Sequence, residues 1–244
     1  MNQGQVLITF DDGLLCHTDA AIELKHRKLK GTFGIVTSKV NEVGFLSLAA
    51  LNEMSYQGHF ICNHSHEHLW SGVGATKPGI SANTQEKITK DYTNAREWLN
   101  KLGFNGDYLL VPFGTTNING PAHMDSLLKI FKWIRVTIGA ALPLQLGGWT
   151  IDGGKRLYPK NYSSPLIGIS AAADARMPGD VEEKVKNASD CGSLVVLLYH
   201  SVCDIVGETQ SVTWKRFISD LDFIEKQVNK GHIQCITPDQ LVGG

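Results

Sequence analysis

The sequence predicts an α/β fold, a distorted (β/α) barrel of roughly seven or eight strands, and three observations predict it. Short β-rich runs alternate with amphipathic segments along the chain. The 244 residues, 42% of them hydrophobic, can fill one sizeable core. No internal repeat or linker divides them, so residues 1–244 are expected to form a single domain. Repeated strand and helix pairs favour a parallel sheet covered by helices, and closing that sheet removes its edges. An open doubly wound sheet is the second choice.

In chain order, Gln5 to Phe10 reads as a strand, His17 to Lys30 as a helix and Gly31 to Val36 as a strand. Leu46 to Gln57 continues as a helix and His59 to Asn63 as a short strand. Asn83 to Leu102 is the clearest helix of the first half, because Ile88, Tyr92, Ala95, Leu99 and Leu102 recur at helical spacing. Asn83 and Glu86 suit an N-cap and N3 pair, and Gly103 suits the stop. Asp107 to Val111 and Trp133 to Ile138 read as strands around a helix near Ala122 to Lys132. Leu142 to Met177, rich in Gly, Pro and Ser, reads as irregular. A helix near Gly179 to Ser189, a strand at Ser193 to Tyr199, a helix from Thr213 to Lys230 and a strand at Ile233 to Ile236 complete the rhythm.

Charge excludes some partners. Lysine plus arginine number 23 against 24 aspartate plus glutamate, with no basic run, so nothing attracts nucleic acid or an anionic membrane surface. A neutral partner such as a glycan fits better. No apolar stretch approaches the ~20 residues of a membrane span, and Met1 to Gln5 lack the pattern of a secretion signal. The chain as given is expected to be soluble and unexported; an excised domain, a processed protein or a phage-encoded product would look the same, so localisation stays open. Cys16, Cys62, Cys191, Cys203 and Cys235 form no C-x-x-C pair, which argues against a thiolate zinc site and for small core residues.

Four constellations carry chemistry, and all fall at carboxyl ends of expected strands, the rim where β/α active sites form. In Thr9-Phe10-Asp11-Asp12-Gly13 two adjacent carboxylates need solvent or a cation, and Gly13 permits a turn; a solvated loop is the bland alternative. In the segment from His59 to His68, His64 and His68 stand four apart, so a helical turn or tight loop can turn both imidazoles to one metal while His66 points elsewhere. At Val111-Pro112-Phe113-Gly114 a backbone N–H could meet a developing oxyanion. After Leu198-Tyr199, His200 could donate a proton to a leaving group. Trp70, Trp149 and Tyr199 are candidates to stack on sugar rings.

These residues resemble the polysaccharide deacetylase family, carbohydrate esterase family four, whose members share the NodB-homology domain and a distorted β/α barrel. The family's T-F-D-D-G motif is matched at Thr9 to Gly13, and its H-S/T-x-x-H motif at His64-Ser65-His66-Glu67-His68. The resemblance implies a metal-dependent deacetylase acting on an acetylated polysaccharide, through an N-acetyl or O-acetyl group. It implies Asp12, His64 and His68 as ligands of zinc, or of Co2+, Ni2+ or Mn2+, with Asp11 as general base. His200, in an L-x-H motif, would be the general acid, and Phe113 with Pro112 would supply the oxyanion contact. Three protein ligands leave a zinc position open for water, in keeping with that chemistry.

The chain also departs from the family. Its third motif, R-x-P-Y/F-G, carries an arginine where this sequence has Leu110, so the usual partner of the catalytic aspartate is missing. Arg135, Lys155 and Arg156 are the candidates to replace it. The fourth motif matches only loosely at Trp149-Thr150-Ile151-Asp152, which makes Asp152 the candidate to hold His200. Two other classes follow: a carbohydrate-binding relative that has lost catalysis, and an iron-dependent oxygenase, whose two-histidine, one-carboxylate triad sits more often on β-sandwich barrels.

Overall fold

The computed structural model describes residues 3–69, 83–114, 126–137, 166–172, 180–204 and 211–242. Seven strands run parallel, each hydrogen-bonded to the next: β1 (Gly4–Phe10), β2 (Gly31–Ile35), β3 (Phe60–Asn63), β4 (Asn105–Leu110), β5 (Trp133–Thr137), β6 (Leu166–Ala172) and β7 (Leu194–Tyr199). The sheet curls on itself because β1 also pairs with β7, from Gln5 with Leu194 to Phe10 with Tyr199. The curl is uneven. β6 meets β7 only at Ala171 with Leu197 and Ala172 with Leu198, and the β3–β4 register slips between Cys62 and Asn63. A short parallel pair, β8 (Ser201–Val202) with β9 (Ser211–Val212), follows β7, and β10 (Ile233–Cys235) pairs with the first half of β1.

Helices α1 (His17–His26), α2 (Leu48–Tyr56), α3 (Gln85–Lys101), α4 (Asp180–Cys191), α5 (Trp214–Asn229) and α6 (Asp239–Val242) follow or separate the strands. Strand side chains alternate between faces, and the sequence of β1 uses both. Val6, Ile8 and Phe10 join a cluster with Ala20 and Leu24 of α1 and Phe217 and Leu221 of α5, which places them under the helices. Leu7 joins Cys62, Leu110, Trp133 and Val196 in a second cluster. Each fully buried leucine or phenylalanine of these clusters contributes about 1.5–3 kcal/mol. Burial on both faces explains why Val6-Leu7-Ile8 of β1 and Leu194 to Leu198 of β7 read as apolar runs.

Three of the helices begin at hydroxyl caps: Ser47, Thr84 and Thr213 accept from the N–H groups of Ala50, Lys87 and Arg216. Each cap is worth about 1 kcal/mol. The start of α3 therefore lies at Thr84, one residue beyond the Asn83 expectation. Its stop is as expected, with Gly103 in the left-handed region at φ +82°. Leu102 turns out 39% exposed and leaves the apolar face, because it is the C-cap rather than a helical residue.

Other expectations are corrected. β6 lies inside the stretch read as irregular; its run Leu166-Ile167-Gly168-Ile169 is masked in sequence by the small residues on either side. Of the cysteines only Cys62 is fully buried, and Cys191 is exposed at the end of α4. Of the helix expected near 122–132, residues 126–128 are helical and 121–125 lie outside the described residues. Among the described residues no helix is long and apolar enough to cross a membrane.

Candidate active site

Because all seven barrel strands are parallel, the residues following β1, β3, β4 and β7 meet at one rim. Asp11 and Asp12 follow β1, His64 follows β3, Pro112 and Phe113 follow β4, and His200 follows β7. The turn that parts the two aspartates is made by Asp12 itself, at φ +78°, with Gly13 at φ +68°. His64 and His68 are joined by a tight loop rather than a helical turn, and Ser65 and His68 also have positive φ. With Phe113 at φ +58°, four of the six positive-φ non-glycine residues among the described residues lie here, so backbone strain among them is concentrated at this rim.

Among the described residues one group of three could hold a metal ion: Asp12, His64 and His68, whose ligand atoms all lie within 4.8 Å of one another. Asp12 Oδ1 is 3.2 Å from His64 Nε2 and 3.2 Å from His68 Nε2. Bonds of ~2.0–2.1 Å at tetrahedral angles require ligand atoms ~3.3 Å apart, which both aspartate–histidine separations match. The tautomer fits as well. His64 Nδ1 donates to the Leu110 carbonyl at 2.7 Å, which leaves Nε2 for the ion.

A second layer holds the histidine loop. Asn63 Oδ1 accepts from Ser65 N at 2.7 Å, Ser65 Oγ accepts from His68 N at 2.9 Å, and Asp91 Oδ1 on α3 accepts from Glu67 N at 2.8 Å. His66 points away from the group, its Nδ1 2.8 Å from Thr37 Oγ1. His59 serves the core, accepting from Gly31 N through Nδ1 and donating to the Ala21 carbonyl through Nε2.

Asp11 is buried and central: its Oδ2 lies 2.6 Å from Arg135 Nη2, 3.8 Å from His64 Nε2 and 3.9 Å from His200 Nε2. Its Oδ1 is buried with no hydrogen-bond partner among the described residues, leaving an acceptor for a reactant's proton. Burial works to raise the Asp11 carboxyl, but Arg135, then His64 and His200, outweigh it and hold the group below the ordinary range. Burial likewise opposes ionisation of Asp12, and hydrogen bonds from His64 and His68 drive it far lower. For His64 burial favours the neutral ring, yet Asp11 and Asp12 prevail and its pKa is raised.

Arg135 answers the departure at Leu110. Leu110 on β4 and Arg135 on β5 are ladder partners, so their side chains stand on the same face, ~4.8 Å apart along the hydrogen-bonding direction. The long guanidinium stem spans that extra strand. The signal in sequence was a charge inside the apolar strand Trp133-Ile134-Arg135-Val136. Asp91 carried a signal too, standing three residues from Ile88 on the buried face of α3.

Phe113 is 46% exposed, with its ring 4.6 Å from that of His68, and Pro112 is buried. Tyr199 does not reach a ligand: it is buried, and its hydroxyl donates to Asp220 Oδ2 at 3.1 Å, which removes it as a stacking surface. Trp70, Trp149, Asp152, Lys155 and Arg156 lie outside the described residues.

The polysaccharide deacetylase family model matches residues 1–124, half of the sequence, and the chain belongs to that family. Its fold is that of the peptidoglycan deacetylase PdaC from Bacillus subtilis (18% identity, TM-score 0.55, covering 98% of this chain and 90% of that one). It is likewise similar to a family 4 acetyl xylan esterase from Clostridium thermocellum in complex with a cobalt ion (18% identity, TM-score 0.53, 97% and 89%). A family 4 carbohydrate esterase from Streptomyces lividans in complex with acetate is a third (15% identity, TM-score 0.53, 97% and 94%). No curated protein matches the sequence.

Proposed function

We propose that this chain is a single catalytic domain that hydrolyses acetyl groups from a polysaccharide with the help of one divalent cation. The observation that carries the reading is that His64 Nε2 and His68 Nε2 each lie 3.2 Å from Asp12 Oδ1, the three ligand atoms all within 4.8 Å of one another, with Asp11 and His200 beside them. A cation held by these three residues, zinc or alternatively Co2+, Ni2+ or Mn2+, supplies Lewis acidity that polarises the acyl oxygen and acidifies a water molecule.

The chain's own residues do the rest. Asp11 takes a proton from the water through its unpartnered Oδ1 while Arg135 keeps the carboxylate ionised and oriented. The water oxygen bonds to the acetyl carbon, and the backbone N–H of Phe113 donates to the oxygen on which charge develops. His200 gives its proton to the departing amine or hydroxyl as the carbon–nitrogen or carbon–oxygen bond breaks, releasing acetate. Each positioned proton transfer is worth about 10²- to 10⁴-fold.

The carbohydrate-binding alternative rested on the arginine lost at Leu110. Arg135 supplies a guanidinium to Asp11 by another route, which favours catalysis. A parallel β/α barrel likewise favours a hydrolase over an iron oxygenase. Acetate release measured on N-acetylated chitin oligosaccharide, peptidoglycan and acetylated xylan, with zinc and with chelator, tests the reading. Metal-dependent release from at least one is expected, and the productive substrate identifies the linkage. Glycan binding without acetate from any of them would favour the binding relative.

A further inference from the structure

His17 is the first residue of α1 and is fully buried, its ring 5.3 Å from that of Phe10 and 5.9 Å from that of Phe33. Its Nε2 lies 2.7 Å from the backbone oxygen of His200. A carbonyl oxygen only accepts, so Nε2 carries the proton and Nδ1 does not. Nδ1 is buried with no hydrogen-bond partner among the described residues. An apolar ring would fill the same slot without an unpaired nitrogen, so packing alone does not account for a histidine here.

The bond completes a pattern. Asp11 N–H donates to the Tyr199 carbonyl at 3.0 Å, and His17 donates to the next carbonyl, that of His200. Two consecutive carbonyls at the end of β7 are thus fixed, one by the residue proposed as base and one by the helix that follows it. Between them lies the Cα from which the His200 imidazole reaches to 3.9 Å from Asp11. Burial pushes the His17 imidazole down to about 4, so the ring stays neutral and the bond keeps its polarity near neutral pH.

We propose that His17 is a positioning residue that holds the His200 main chain so that its imidazole meets the leaving group. The inference rests on the reading of His200 as general acid. Its consequence is selective: a substrate whose leaving group departs unaided as an anion needs His200 less than one that leaves as an amine or alkoxide.

The test compares N-acetylated chitin oligosaccharide with 4-nitrophenyl acetate, in wild type, His17→Phe, His17→Gln and His200→Ala, with metal content and thermal unfolding recorded for each. His17→Phe fills the slot without a donor, whereas the Gln amide can still donate. The glycan-to-aryl rate ratio is expected to fall about 10- to 100-fold in His17→Phe and in His200→Ala, and to recover in His17→Gln. An equal slowing of both substrates in His17→Phe, with a selective His200→Ala, would overturn this inference and leave the general-acid reading standing. An unselective His200→Ala would overturn both. NMR of the imidazole nitrogens in the wild-type protein needs no variant: a proton on Nε2 is expected, and one on Nδ1 would also overturn it.

Discussion

Arg135 Nη2 lies 2.6 Å from Asp11 Oδ2, with the arginine fully buried and the aspartate nearly so, and the two reach each other across the barrel from β5 to β1. Breaking a buried pair by removing one partner costs about 3–5 kcal/mol, because the other charge is stranded. Arg135→Leu is therefore expected to lower unfolding stability by about that amount and to depress acetate release with it. Restoring a guanidinium from the ladder partner, as Leu110→Arg in the same variant, should recover part of both. Urea unfolding and an acetate assay measure them, and an Arg135→Leu protein with wild-type values would sink this account of Asp11.

The histidine loop hangs on α3 through the Asp91 to Glu67 hydrogen bond of 2.8 Å. Groups that orient metal ligands without touching the metal typically contribute about 10- to 100-fold in affinity. Asp91→Ala should weaken zinc binding by that order while circular dichroism stays that of the wild type. Unchanged affinity by calorimetry would show that the loop needs no such anchor.

Stability of the metal-free protein should be lost on both sides of a pH window. The Asp11 and Asp12 carboxyls are depressed on folding, so their contribution is present above the unfolded value of ~3.9 and is lost as pH falls through the lower folded ones. His64 runs the other way: its folded pKa is raised, so its contribution is present below ~6.5 and is lost as pH rises through the higher folded value. Burial lowers His17 and His59 to about 4, so their contribution is lost as pH falls below ~6.5. Chelator-stripped protein is therefore expected to be most stable near pH ~6.5, and zinc should remove the alkaline loss. Urea midpoints that stay flat from pH 3 to 8 in stripped protein would contradict these shifts.

Most of the barrel was legible because β1 and β7 contain short apolar runs, β4 and β5 contain Tyr-Leu-Leu and Trp-Ile, and α3 and α5 carry apolar residues at helical spacing. β6 was not, since Gly168 and Ser170 break its apolar pattern and only pairing with β5 and β7 makes it a strand. Local spacing suggested that His64 and His68 share a side, and resemblance to the family motif joined Asp12 to them; the three do lie together in space. Long-range partnership is what sequence hides. The bond from His17 to His200 spans 183 positions and nothing local announces it, while that from Arg135 to Asp11 spans 124, and the charge within an apolar strand marked Arg135 only as one of three candidates.

The central claim is that Asp12, His64 and His68 hold one divalent cation on which acetate release depends. Its most direct test is metal content and acetate release measured on the same samples of wild type and Asp12→Ala. About one equivalent of metal with release is expected for the wild type, and loss of both together for the variant. Full release of acetate by metal-free Asp12→Ala protein would contradict it.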